Sequence, residues 1–277
     1  RSMDVSSDTV EELEREERIR WKDQAHPNEF IILNDKSHDE PKLGRYNGET
    51  GDLDLVYPLP GSVSGIKPLN LPQRMALDLL LDERVSLVTM VGKAGTGKTL
   101  LALAAGLKKV FDDGAYTRVL VSRPVIPLGK DIGYLPGAKE EKLSHWMQPL
   151  FDNLEYILSV HKRPNLKSID SILNNKMVEL EAITYIRGRS LPRQYIIIDE
   201  AQNLSPHEIK TIVSRAGDDT KVVLTGDPYQ IDSPYLDANS NGLTYLVETF
   251  KGQHIFGHVT LEHSERSLLA ELAAELL

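Results

Sequence analysis

Gly92-Lys93-Ala94-Gly95-Thr96-Gly97-Lys98-Thr99 fits the spacing G-x-x-x-x-G-K-[ST], with an apolar run at 85–91 before it and a helical pattern at 100–110 after it. Glycines at these positions let the backbone curl, so that successive N–H groups point inward at phosphate oxygens. The start of the following helix adds roughly half a positive charge at the same spot. Gly92, Lys93, Ala94, Gly95, Thr96, Gly97, Lys98, Thr99 and Leu100 are therefore the expected nucleotide cradle. Lys98 is expected to reach the β- and γ-phosphates and Thr99 to give its hydroxyl to magnesium.

Hydrolysis needs a second component. The apolar run 195–198 ends in Asp199-Glu200-Ala201-Gln202. At the C-terminal end of a parallel strand these acids face the ligand edge of an open α/β sheet. Asp199 suits the magnesium shell, and Glu200 suits orienting or deprotonating the attacking water. A third apolar run, 222–225, ends in Gly226-Asp227-Pro228-Tyr229-Gln230, which puts the Gln230 amide where it can sense the γ-phosphate. The guanine-reading Asn-Lys-x-Asp string is absent. Gln73, at the start of a helix before the cradle, can read adenine's edges, so ATP is the preferred nucleotide; an ordinary surface glutamine is the alternative there.

Something must hold these groups together. From Leu69 onward helical and strand patterns alternate, the signature of an α/β domain with a mostly parallel sheet. Asn70 can cap a helix running to about Leu81, with Pro72 in its first turn. Strands are expected at 85–91, 118–122, 178–183, 195–198, 221–225 and 254–261. Helices are expected at 100–110, 140–158 (kinked at Pro149), 208–215 and 267–276. Before this domain, 29–33, 42–46 and 53–57 read as three short strands separated by glycine-marked turns, a small antiparallel β element. The division is thus 1–27 as a charged linker, 28–60 as a β-rich subdomain and 61–277 as the nucleotide-binding domain. In the first part Glu11, Glu12, Glu14, Glu16 and Glu17 read as a solvated helix or tether. Arg1 and Ser2 precede Met3, as at a cloning scar or the edge of a fragment.

Composition narrows the class. In 277 residues, 40% are hydrophobic and 26% charged, an ordinary balance able to bury a core. No apolar run reaches the ~18 residues of a membrane span, and no signal sequence is visible. With zero cysteines, disulfides and thiolate metal sites are excluded and the cytoplasm is the default expectation. A net charge of −9 argues against bulk electrostatic coating of nucleic acid, though not against a local basic groove. The long stretch 123–139 carries Arg123, Lys130, Tyr134 and Lys139 among glycines and prolines. Its cations suit phosphates and its tyrosine suits stacking on a base, a combination for single strands. Arg187, Arg189 and Arg193 form a second basic cluster; solvated loops are the alternative for both. Trp146 and Phe151 read as core.

The cradle, Asp-Glu-Ala-Gln and Gly-Asp-x-x-Gln together resemble the first motor domain of superfamily 1 helicases. The sequence resembles PhoH-like ATPases more closely still, through Ser122-Arg123-Pro124-Val125, the run 129–137, Tyr185-Ile186-Arg187-Gly188-Arg189 and Ser264-Glu265-Arg266-Ser267. The resemblance covers about 65–277. It implies a RecA-like sheet, ATP with magnesium, and a role in RNA metabolism; the reading that follows is hydrolysis coupled to binding and unwinding or remodelling of single-stranded RNA. A nucleotide-gated module that controls a partner without moving a strand is the rival. In one branch of the family a PIN-type nuclease domain precedes the ATPase, and 28–57 resembles the joining segment. Superfamily 1 helicases complete their site with arginines from a second motor domain, for which this chain has no length. Arg266 is the first candidate finger and Arg123 the second, each with a surface ion pair as the alternative. The resemblance points to a hexameric ring in which neighbours complete each other's sites.

Overall fold

A computed structural model of the chain describes residues 1–35, 37, 40–124, 139–161, 168–186, 188 and 190–265, with 139–146 and 184–185 as backbone only. Two sheets organise the described residues. The first has the order β1-β3-β4-β5-β2, from β1 (Ser2–Asp4), β2 (Arg18–Arg20), β3 (Phe30–Asn34), β4 (Lys42–Asn47) and β5 (Asp52–Leu55). Its pairings are antiparallel except that β1 runs parallel to β3. The expected antiparallel element is therefore a mixed sheet, larger than its three central strands.

The linker assigned to 1–27 is corrected by this sheet. Its residues supply β1, β2 and helix α1 (Ser7–Glu16), capped by the Ser6 hydroxyl. Only Val10 and Leu13 of α1 face inward, and both are fully buried against Ile19, Ile31, Leu33 and Leu53. An apolar stripe of two residues three apart is too narrow to stand out among five glutamates, which remain exposed as a solvated helix face.

The second sheet has six strands, all parallel, in the order β11-β6-β10-β9-β7-β8: β6 (Leu87–Gly92), β7 (Arg118–Arg123), β8 (Val178–Ala182), β9 (Gln194–Ile198), β10 (Lys221–Gly226) and β11 (Phe256–Leu261). Period-two alternation sends Val88, Met90, Tyr195 and Ile197 to one face, under helices α2 (Leu71–Leu81), α3 (Lys98–Leu107) and α4 (Lys139–Val160). Leu87, Ile196, Ile198, Val222 and Leu224 go to the other, beneath α6 (Ile183–Ile186), α7 (Pro206–Val213) and α8 (Gly242–Phe250). With both faces covered, the central strands are continuous apolar runs. This is the RecA-like P-loop architecture. A short helix, α5 (Ile169–Asn174), leads into β8. Helix α4 carries Pro149 in its interior, and Phe151 packs partly buried on the core as expected. The expected helix at 267–276 lies outside the described residues.

The two sheets are fastened to each other. Asn28 Nδ2 donates to the carbonyls of His254 (2.8 Å) and Phe256 (2.9 Å). Arg45 bridges from β4 to Asp78 (2.7 Å) and Asp82 on and after α2. Burial pushes the Asp82 carboxyl up, but Arg84 and Arg45 outweigh it and hold the group well below the usual carboxylate range. No helix among the described residues is long and apolar enough to cross a membrane.

Candidate active site

Strands β6, β7, β9, β10 and β11 all end at one edge of the parallel sheet, and each end delivers part of one constellation. The cradle leaves β6 at Gly92. Gly92 has no room for a Cβ, which would collide with the Leu261 carbonyl at the end of β11. Gly95 (φ 82°) and Gly97 (φ 90°) hold left-handed backbone that other residues adopt only with strain.

Every carbonyl from Gly92 to Gly97 accepts a hydrogen bond. Lys98 Nζ donates to Gly92 O (2.6 Å) and Lys93 O (2.9 Å), and Thr96 Oγ1 also donates to Lys93 O (3.0 Å). Ser264 Oγ reaches Ala94 O at 3.5 Å, and the Glu265 N–H donates to Gly95 O at 3.0 Å. Gln73 Nε2 donates to Thr96 O at 3.1 Å, and the Leu101 N–H to Gly97 O at 2.9 Å. Anchored carbonyls leave the loop's N–H groups for an anion, the arrangement a triphosphate needs.

Gln73 is 4% exposed, which removes the surface-glutamine alternative. Its Oε1 accepts from the Leu69 N–H (2.8 Å) while its Nε2 braces Thr96, so the amide joins the start of α2 to the cradle. Asn70 caps α2 as expected, through the Gln73 N–H (2.9 Å). Leu100 lies in the first turn of α3.

Asp199 follows the last residue of β9 and is 4% exposed. Its Oδ1 accepts from two hydroxyls, Thr99 at 2.8 Å and Thr225 at 2.6 Å. A hydroxyl and a carboxylate meeting at the mouth of the cradle are hard oxygen donors of the type magnesium takes. Among the described residues no cluster of three or more His, Asp or Glu could hold a metal unaided. An ion here would therefore share Thr99 and Asp199 with the nucleotide's own oxygens.

Glu200 sits in left-handed backbone (φ 54°, ψ 39°), a conformation that costs a non-glycine residue of order 1 kcal/mol and concentrates at functional sites. Its carboxylate is gripped on both sides. Arg123 Nη2, from the end of β7, donates to Oε1 at 3.2 Å, and Gln202 Nε2 donates to Oε2 at 2.7 Å. The Gln202 amide also donates to the Gln230 carbonyl (2.9 Å) and accepts from the Asp227 N–H (3.1 Å). Gln230 is thus brought to the site through its backbone, with an exposed side chain.

Thr225, Gln202, Ser264 and Glu265 were not singled out by sequence reasoning. Thr225 and Gln202 lie inside strings already noted, one residue before Gly226 and two after Glu200. Arg193 does not join the constellation: it precedes β9, at the opposite edge of the sheet. Lys130, Tyr134, Arg187, Arg189 and Arg266 lie outside the described residues, and Lys139 is described only as the first backbone position of α4.

The model of the family described as PhoH-like protein matches residues 65–275, from the segment before α2 to beyond β11. The chain belongs to the PhoH-like family. Protein PhoH2 of Bacillus subtilis (strain 168) is 53% identical over 254 residues, covering 91% of this chain and 57% of that protein. Protein PhoH2 of Mycolicibacterium smegmatis is 44% identical over 216 residues, covering 78% of this chain and 48% of that protein. The chain thus spans about half the length of these PhoH-like relatives. A crystal structure of Pif1 helicase from Candida albicans is 20% identical and matches 72% of this chain and 40% of that one, with a TM-score of 0.35. Family membership and the cradle together make this chain a PhoH-like protein with a P-loop.

Proposed function

We propose that this PhoH-like chain hydrolyses ATP and couples turnover to binding and remodelling of single-stranded RNA. The observation that carries the hydrolytic reading is the convergence of Thr99 and Thr225 on one oxygen of buried Asp199, beside a phosphate loop whose carbonyls are all anchored. Magnesium held by Thr99 and Asp199 would neutralise charge on the phosphates. Lys98 would exchange its carbonyl partners for the β- and γ-phosphate oxygens. Glu200 would orient a water for in-line attack and take its proton as the oxygen–phosphorus bond forms and the β–γ bridge breaks. Gln230 would sense the γ-phosphate.

The RNA part rests on placement and resemblance. The connection from β7 to α4 leaves the sheet at Arg123, on the nucleotide edge, and carries Lys130 and Tyr134 on its way to Lys139. Arg187 and Arg189 are proposed as further phosphate contacts. An arginine finger is proposed at Arg266, within a hexameric ring of copies. Mixing Lys98→Ala with Arg266→Ala chains, once light scattering shows exchange, restores turnover only if neighbours share sites. The length missing relative to the relatives is proposed to hold a PIN-type nuclease partner, and the cytoplasm is the proposed location.

The deciding experiment measures ATP turnover with and without single-stranded RNA, alongside strand displacement on a tailed duplex. RNA-stimulated turnover with displacement is expected. Stimulation without displacement would favour a nucleotide gate over a motor. Turnover indifferent to RNA would overturn the coupling.

A further inference from the structure

Asp199-Glu200-Ala201-Gln202 crosses from the end of β9 into a single 3₁₀ turn, Ala201–Asn203, which folds residue 202 back beneath residue 200. Gln202 is fully buried. A buried amide is costly unless its hydrogen-bonding groups are matched, and here they are: two donors meet two acceptors, and one acceptor meets one donor. The two N–H groups go to Glu200 Oε2 (2.7 Å) and the Gln230 carbonyl (2.9 Å), and Oε1 takes the Asp227 N–H (3.1 Å).

Chemistry restricts this position. A glutamate would set a second carboxylate against Glu200 and the Gln230 carbonyl. A lysine would leave the Asp227 N–H without an acceptor. The surroundings are shaped to match: a Cβ on Gly226 would collide with Gln202 Oε1, so the glycine that ends β10 makes room for the amide. On the far side Arg123 holds the other Glu200 oxygen at 3.2 Å. Both oxygens of the carboxylate are therefore satisfied in this rotamer.

We propose that Gln202 is a positioning residue for hydrolysis: it ties the Glu200 carboxylate to the loop Asp227–Gln230, so that the water-activating oxygen and that loop move as one body. The proposal rests on the reading of Glu200 as the group that activates water. It gives the loop after β10 a mechanical route to the chemistry. Any contact that shifts Asp227 or Gln230 acts on Glu200 through one side chain.

The test is a kinetic cycle in the full chain. Gln202→Met keeps the volume and removes the hydrogen bonds. It is expected to lower kcat for phosphate release by about 10- to 100-fold, a share of what a general base supplies, with ATP KM within about twofold. In the Glu200→Gln background the same substitution should change kcat little, because two residues acting as one unit are not additive. Gln202→Glu loses both donated hydrogen bonds and sets a carboxylate against Glu200, so it should lower kcat at least as far as Gln202→Met, again with ATP KM within about twofold. A wild-type kcat for Gln202→Met, or an equal fold-loss in both backgrounds, overturns the proposal. Should circular dichroism show Gln202→Met unfolded, the kcat of Gln202→Glu decides, and a wild-type value there overturns it equally. Undiminished turnover in Glu200→Gln alone would instead overturn the reading of Glu200.

Discussion

The Thr225 hydroxyl lies 2.6 Å from Asp199 Oδ1, so the last polar side chain of β10 fixes the acid at the end of β9. Thr225 is fully buried, and valine is a close replacement in shape. Thr225→Val should cost about 1 kcal/mol of stability through the lost hydrogen bond, with Thr99 left as the hydroxyl partner of that oxygen. It should also raise the magnesium concentration for half-maximal turnover several-fold, while Thr225→Ser stays near wild type. Magnesium titrations of phosphate release with thermal melts check this. An unchanged magnesium requirement would separate Thr225 from the metal site.

Gln73 allows a sharper statement about nucleotide choice than its sequence position did. Both ends of its amide are engaged, with Leu69 and with the Thr96 carbonyl of the cradle. Gln73→Ala should therefore weaken ATP and GTP binding together, by roughly the ~1 kcal/mol of one hydrogen bond, or about fivefold. Competition binding with both nucleotides is the measurement. A loss confined to ATP would return the amide to adenine recognition.

The segment after β11 offers a control experiment on the cradle. Glu265 contributes its backbone N–H to Gly95, while its carboxylate accepts from Asn70 Nδ2 at 2.8 Å in an exposed contact. Glu265→Ala keeps the N–H and should bind ATP within about twofold of wild type, as exposed contacts are weak. Glu265→Pro removes the N–H and should weaken ATP at least fivefold. Equal affinities in titration calorimetry would show that the cradle does not need this brace.

His258 predicts a pH dependence of stability. It lies between Thr89, whose hydroxyl is 2.7 Å from Nδ1, and Thr260. Burial pushes its pKa down to about 4. An unfolded histidine titrates near ~6.5, so between these values the unfolded chain binds more protons. Stability present above about pH 6.5 is therefore lost as pH falls towards 4. His258→Gln should show a shallower fall in melting temperature across that window. Parallel slopes for the two chains would mean that other groups carry the acid response.

Much of this was legible in sequence for a physical reason. The strands β6, β9 and β10 are buried on both faces, so they appear as unbroken apolar runs ending in polar strings. The groups at those ends, Lys98, Thr99, Asp199 and Glu200, fall at one sheet edge because the strands are parallel. What escaped was long-range pairing. β1 becomes a strand only through its register with Ile32 and Leu33, and α1 shows two inward residues among charges. The same holds for the reach of Gln202 to Asp227 and Gln230 and of Glu265 to Gly95 and Asn70, which leaves no local periodicity.

The bracing of the phosphate loop also has a consequence for when the site comes into being. Lys98 and Thr96 tie the loop within itself, but Gln73 reaches it from α2 and Glu265 from beyond the last strand. Contacts so distant in sequence form late, since the closure of long loops must precede them. On a growing polypeptide the first strand of the sheet, β6, emerges long before β11, the neighbour that seals Gly92 and leads to Ser264 and Glu265. Nucleotide affinity is therefore a property of the assembled sheet, and its appearance during synthesis would mark the moment at which β11 has docked.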